Sequence, residues 1–108
     1  MVSEKIESKI ASVADIFKAM GEANRLHIIL LLSRQELCVC EITSILKITQ
    51  SNASQHLARL KSVGLVKERR DAQWVYYSLN PETFPMILNM LKTFPKKTAR
   101  HCQLPVDK

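Results

Sequence analysis

A chain of 108 residues, 46% of them hydrophobic, can bury one core and has the composition of a single globular domain. Sixteen Lys and Arg against ten Asp and Glu leave a net charge of +6, a balance that attracts polyanions and draws affinity from counterion release. Three cysteines are too few for a disulfide framework, the charged start MVSEKIESKI is no secretory signal, and the longest apolar run, Ile28 to Leu32, cannot span a bilayer, so the expectation is a cytoplasmic protein with reduced thiols and no membrane contact.

Residues 4 to 20 place Ile6, Ile10, Val13, Phe17 and Met20 at spacings of four and three, one face of a first helix that Gly21 ends. The run EANRLHIILLLSR follows as a second helix, apolar enough through Leu26, Ile29, Leu30 and Leu32 to be buried nearly all round. A third begins near Cys38 and turns Val39, Ile42, Ile45 and Leu46 inward. After a break at Ile48-Thr49, a fourth runs from about Gln50 to Val63, with Gly64 as its C-cap. Past Gly64 the period changes to alternation: LVKERR and WVYYSL, separated by Asp71-Ala72-Gln73, predict a hairpin with Val75, Tyr77 and Leu79 on one face and Trp74, Tyr76 and Ser78 on the other. Asn80-Pro81 opens a last helix through Met86, Ile87, Met90, Leu91 and Phe94, broken at Pro95. Two short, tightly joined helices followed by a β-ribbon define a mainly α fold with a β-hairpin wing, the winged helix-turn-helix. The expected domain covers residues 1–95, and 96–108 are expected to be a basic, flexible tail.

The fourth helix divides cleanly. Ala53, Leu57 and Leu60 make its core stripe, while Ser51, Asn52, Gln55, Arg59 and Ser62 collect opposite them. Asn and Gln can bond an adenine edge in two places and Arg a guanine edge, whereas Ser suits bases or phosphates. A polar helix face is ordinarily only solvated, and the adjoining hairpin is what turns this one into a reading surface. The candidate DNA contacts are therefore Gln50, Ser51, Asn52, Ser54, Gln55, His56 and Arg59, with Arg69, Arg70 and Gln73 projecting from the hairpin turn to grip the backbone or minor groove. His56, at the edge of the core stripe, suits packing or a phosphate better than a base.

In order and spacing, ANRLHIILLL, ELCVCEI and TQSNASQHLARLKSVGLVKERRDAQWVYYSL resemble the ArsR/SmtB family of metal-sensing transcriptional repressors, over roughly residues 10 to 94. The resemblance implies a homodimer that binds double-stranded operator DNA and releases it when a metal or metalloid binds. It also implies a dimer interface on the first and last helices, here Ile6, Ile10, Val13, Ile87, Met90, Leu91 and Phe94, whose apolar faces call for a partner in any case. Arsenic-sensing members carry a C-V-C pair and a further cysteine three residues on. Cys38 and Cys40 match the pair; Thr43 stands at the third position, and its hydroxyl is a poor ligand for a soft ion. The zinc or nickel site that other members build on the last helix needs histidines that this stretch lacks.

Residues 38 and 40 of a regular helix point about 200° apart, yet at a helix start, where the chain is still extended, i and i+2 share a side. The helix dipole there predicts a lowered thiol pKa, favouring the metal-binding thiolate. Against this, free cysteine is among the most buried residue types. Cys102, seven residues past Pro95, is the remaining thiol, on a tail that reaches roughly 23 Å when extended. Cys38, Cys40 and Cys102 are the candidate ligands for trivalent arsenic or antimony as inducer, other thiophilic metals being open. Three rivals stand beside this reading: a redox or sulfur-species switch on the same thiols, a constitutive DNA-binding module with inert cysteines, and a cysteine enzyme. The last is set aside, because His27, His56 and His101 offer no oriented base and no glycine-rich loop exists.

Overall fold

The computed structural model describes residues 4–80 and Pro85; the expected last helix and the tail with Cys102 lie outside them. In chain order the elements are α1 (Glu4–Met20), α2 (Ala23–Leu32), β1 (Leu37–Cys38), α3 (Val39–Leu46), α4 (Gln50–Ser62), β2 (Val66–Asp71) and β3 (Trp74–Leu79). The hairpin is thus part of a three-stranded antiparallel sheet of order β1-β3-β2, not a free ribbon. Two residues, Leu37 and Cys38, make up β1, and so short a strand leaves no alternation to detect.

Residues fully or nearly enclosed come from every element except β3. They include Ile16, Ala19 and Met20 of α1, Ile28 to Leu32 of α2, Leu37, Ile42 of α3, the Ala53-Leu57-Leu60 stripe of α4, and Leu65 with Val66. Val39, Ile45, Leu46, Tyr77 and Leu79 pack against this cluster half-buried. The expected single face of α1 splits in two. Met20 joins Ile16 and Ala19 in the core, whereas Ile6, Ile10 and Phe17 remain 53%, 58% and 46% exposed, lining an open apolar groove with Val13 and Ala14.

Three residues join α3 to α4. Lys47 takes the left-handed conformation at φ 57° and closes α3 with its N–H on the Thr43 carbonyl at 2.8 Å. Thr49 then caps α4, its Oγ1 accepting the Asn52 N–H at 3.0 Å, which satisfies one donor that the first turn would leave unpaired. At the other end Gly64, at φ 80°, lets the Leu65 N–H reach the Leu60 carbonyl and its own N–H the Lys61 carbonyl, each at 3.0 Å. This paired C-terminal closure demands a left-handed residue and so a glycine. It aims the chain into β2. The hairpin turns through Ala72 and Gln73, with Asp71 opposite Trp74 and Ala72 at φ 57°.

Candidate nucleic-acid interface and thiol site

The core stripe of α4 fixes its opposite side outward: Gln50, Ser51, Asn52, Ser54, Gln55, Arg59 and Ser62 are all exposed. No carboxylate occurs in this helix, and Arg59 and Lys61 are its cations. Lys61 donates to Glu68 Oε1 at 2.9 Å, tying α4 to the wing. Glu68 also pairs with Arg70 at 3.3 Å, and these cations, Lys61 first, hold its carboxyl below the usual glutamate range.

The predicted contacts divide by environment. Gln50, Ser51, Asn52, Ser54, Gln55 and Arg59 share the open helix surface, and Arg70 and Gln73 are exposed on the wing. His56 faces inward. Its Nδ1 is 3.4 Å from an Arg25 guanidinium nitrogen and 3.9 Å from Glu22 Oε1, while Arg25 also donates to the Ala19 carbonyl. The imidazole therefore packs α4 onto the start of α2. Arg69 departs from its expected place: instead of projecting from the turn, it folds back along the sheet. Its Nε and Nη2 donate to Glu36 Oε2 and Oε1 at 3.1 and 2.8 Å, and its guanidinium carbon lies 4.7 Å from the centroid of the Tyr76 ring. A carboxylate that matches the guanidinium fork and a ring beneath it outcompete an extended side chain. Nothing in the sequence flagged Glu36, because its partner is 33 residues away. The same holds for Glu68. Its link to Lys61 depends on how α4 meets β2.

Cys38 and Cys40 come together. Cys38 is the N-cap of α3, extended at φ −86° and ψ 164°, and its N–H donates to Glu41 Oε1 at 2.9 Å. From that extended residue the two Sγ atoms lie 2.6 Å apart, the same-side arrangement expected at a helix start. Their surroundings differ: Cys38 is 6% exposed, while Cys40 is open to solvent. The expected low pKa fails at Cys38. Burial first, then the contact with Cys40, pushes that thiol up to about 11; removing it from water favours the neutral form, and this outweighs the helix dipole. The Thr43 hydroxyl donates to the Cys40 carbonyl at 2.8 Å, so it is engaged in backbone bonding. Among the described residues no cluster of three His, Cys, Asp or Glu side chains has the geometry to hold a metal ion. Two adjacent thiols nevertheless suit a soft ion in donor type, and the third proposed ligand, Cys102, lies outside the described residues.

The sequence match is concentrated where this geometry lies. Residues 22–68 match the family described as bacterial regulatory protein, arsR family. Two arsenic resistance transcriptional regulators of Pseudomonas putida, ArsR1 and ArsR2, are 44% identical over 78 and 79 residues, covering 71% and 72% of this chain and 61% and 69% of their own lengths. The chain belongs to the arsR family. As members of that family are transcriptional regulators, its function class is regulation and not catalysis. HlyU from Vibrio cholerae, described as a transcriptional activator, is 38% identical over 82% of both chains, and its structure superposes with a TM-score of 0.74 over 81% of this chain and 95% of that one. The homodimeric winged helix-turn-helix DNA-binding domain Mb0332 from Mycobacterium bovis is 28% identical, with a TM-score of 0.77 over 93% of each chain. The arsR-family winged helix-turn-helix is therefore the fold of this chain. Among its described residues no helix is long and apolar enough to cross a membrane.

Proposed function

We propose that the protein is a cytoplasmic, homodimeric repressor that binds double-stranded operator DNA and releases it when trivalent arsenic or antimony occupies Cys38 and Cys40, with Cys102 as third ligand. The observation that carries this reading is the meeting of two sulfurs at 2.6 Å on the N-terminus of the helix that leads directly into α4. Arsenic or antimony, when bound, supplies thiophilic bonds that hold these sulfurs together. The chain does the rest. Gln50, Ser51, Asn52, Ser54, Gln55 and Arg59 enter the major groove, where their amides and guanidinium read base edges and their hydroxyls reach bases or phosphates. Arg70 and Gln73 on the wing meet the backbone. His56 acts by fixing the seat of α4. The groove along Ile6, Ile10, Val13 and Phe17 takes a second copy, as the homodimeric relative supports, and Ile87, Met90, Leu91 and Phe94 complete that interface.

Release follows from what Cys38 is. It caps α3 and belongs to β1, so any demand on its sulfur is applied to the first turn of the helix-turn-helix and to the sheet that carries the wing. If the two dimer shapes favoured by DNA and by the inducer differ, linkage makes the one expel the other. Fluorescence anisotropy with labelled operator DNA tests this. Arsenite is expected to weaken binding by about tenfold or more, within the usual range for coupled sites, and Cys40→Ser and Cys102→Ser are expected to abolish the effect while retaining DNA binding. Equal operator affinity with and without arsenite would sink the proposal.

The contact between the two sulfurs also favours a second reading, a thiol-based redox or sulfur-species sensor. A hydroperoxide would oxidise Cys40, and Cys38 would then displace water to form the disulfide. Mass spectrometry separates the two readings: tryptic peptide 35–47 holds both cysteines and would lose two hydrogens on oxidation, whereas reduced protein would still bind arsenite under the first reading.

A further inference from the structure

The sheet register puts the thiol site and the wing on one rung. Cys38 of β1 lies opposite Tyr76 of β3, and Tyr76 lies opposite Arg69 of β2. Residues directly opposite across an antiparallel ladder point to the same face, as do residues two apart along a strand. Glu36, two residues before Cys38, therefore falls on the face that carries Tyr76 and Arg69. There Arg69 stacks over the Tyr76 ring at 4.7 Å and places both ends of its fork on the Glu36 carboxylate at 2.8 and 3.1 Å. The result is a closed ring, running from Glu36 along the backbone to Cys38, across to Tyr76, on to Arg69 and back to Glu36.

We propose that Glu36 is a positioning residue that couples the thiol site to the wing, holding Arg69 on Tyr76 beside Cys38 so that occupancy of the cysteines re-aims the hairpin. The proposal rests on the reading that these cysteines bind the inducer. An exposed ion pair usually contributes little, and the exceptions are bidentate pairs joined to other contacts, which is the arrangement here. The function of the pair lies in geometry. Cys38 cannot shift within β1 without carrying its rung partner Tyr76, on which Arg69 is seated, and Glu36 ties the free end of Arg69 back to the moving segment. A guanidinium fork held by one carboxylate is not available to grip a phosphate in the same way. Arg69 therefore serves the relay, and the exposed Gln73 and Arg70, the latter beside Glu68 at 3.3 Å, are left as the polar groups of the wing that face outward to DNA.

Trp74 supplies the test. It is the single tryptophan of the chain, 48% exposed, and stands two residues from Tyr76 on the same face at the hairpin tip. Full-length wild type, Glu36→Gln and the swapped double variant Glu36→Arg with Arg69→Glu are titrated with arsenite. Three quantities are followed: thiolate–arsenic absorbance, Trp74 emission, and operator affinity with and without arsenite. Removing one negative charge changes both operator affinities together, so the ratio between them is the deciding quantity. In Glu36→Gln arsenite binding is expected to persist while the Trp74 response disappears and the affinity ratio shrinks by about fivefold or more, a sizeable part of a typical coupling; the swapped variant, which rebuilds the ion pair but not the stack on Tyr76, restores both in part. A Glu36→Gln ratio and Trp74 response equal to wild type overturn the relay alone. A wild type that arsenite neither binds nor releases overturns the inducer reading and the relay together.

Discussion

Helix α4 follows α3 and the segment Glu36–Cys40 leads into it, yet the sequence encodes them in different ways. In α4 one period does two jobs. The spacing that buries Ala53, Leu57 and Leu60 forces Gln55 and Arg59 outward, so core and reading surface are legible from the same residues. Glu36–Cys40 has no single period. It passes from loop through a two-residue strand into the first turn of a helix, and within it Cys38 is enclosed while Cys40 faces water. The lesson is that periodicity assigns direction only where the backbone keeps one geometry. At a junction, direction depends on the neighbouring strand.

Substitutions can break or sharpen this contrast. Leu57→Ala should have the largest effect, lowering stability by about 3 kcal/mol in urea unfolding, as expected for a large core side chain whose cavity closes only in part. Two residues on, Arg59→Ala should leave the unfolding midpoint alone and cost about 2 kcal/mol of operator binding, read by anisotropy against base-substituted operators. A shared penalty would mean that the two faces of α4 are not separate. Lys47→Gly, at the joint between the two regions, should stabilise the fold by about 1 kcal/mol, because φ 57° is strained for a residue with a Cβ. Smallest of all, Cys40→Ser should shift stability by no more than about 0.5 kcal/mol, since its side chain lies outside the core. A larger loss would place Cys40 in the packing.

The same contrast explains how far the sequence could be read. The element order from α1 through the hairpin follows from Gly21, Gly64 and the change to alternation, and the sulfur pair follows from the extended start of α3. Missed were β1, the Arg25 and Glu22 partners of His56, and the attachment of Arg69 to Glu36. These depend on which segments meet in space, and no residue near Arg69 in sequence signals a partner 33 positions away. The thiol pKa went astray for a related reason. The helix dipole is legible from a helix start, but the burial that lifts Cys38 to about 11 comes from the surrounding fold.

If a second copy covers it, as proposed, the exposed stripe on α1 also makes this fold answerable to dilution. Ile6, Ile10 and Phe17, each about half in water, would gain roughly 1 kcal/mol apiece when covered. The melting temperature should therefore climb with protein concentration, as mass action requires when only the associated state hides that surface. A cell holding few copies would then keep much of its supply as looser single chains, so abundance itself would set how firmly a promoter is held shut.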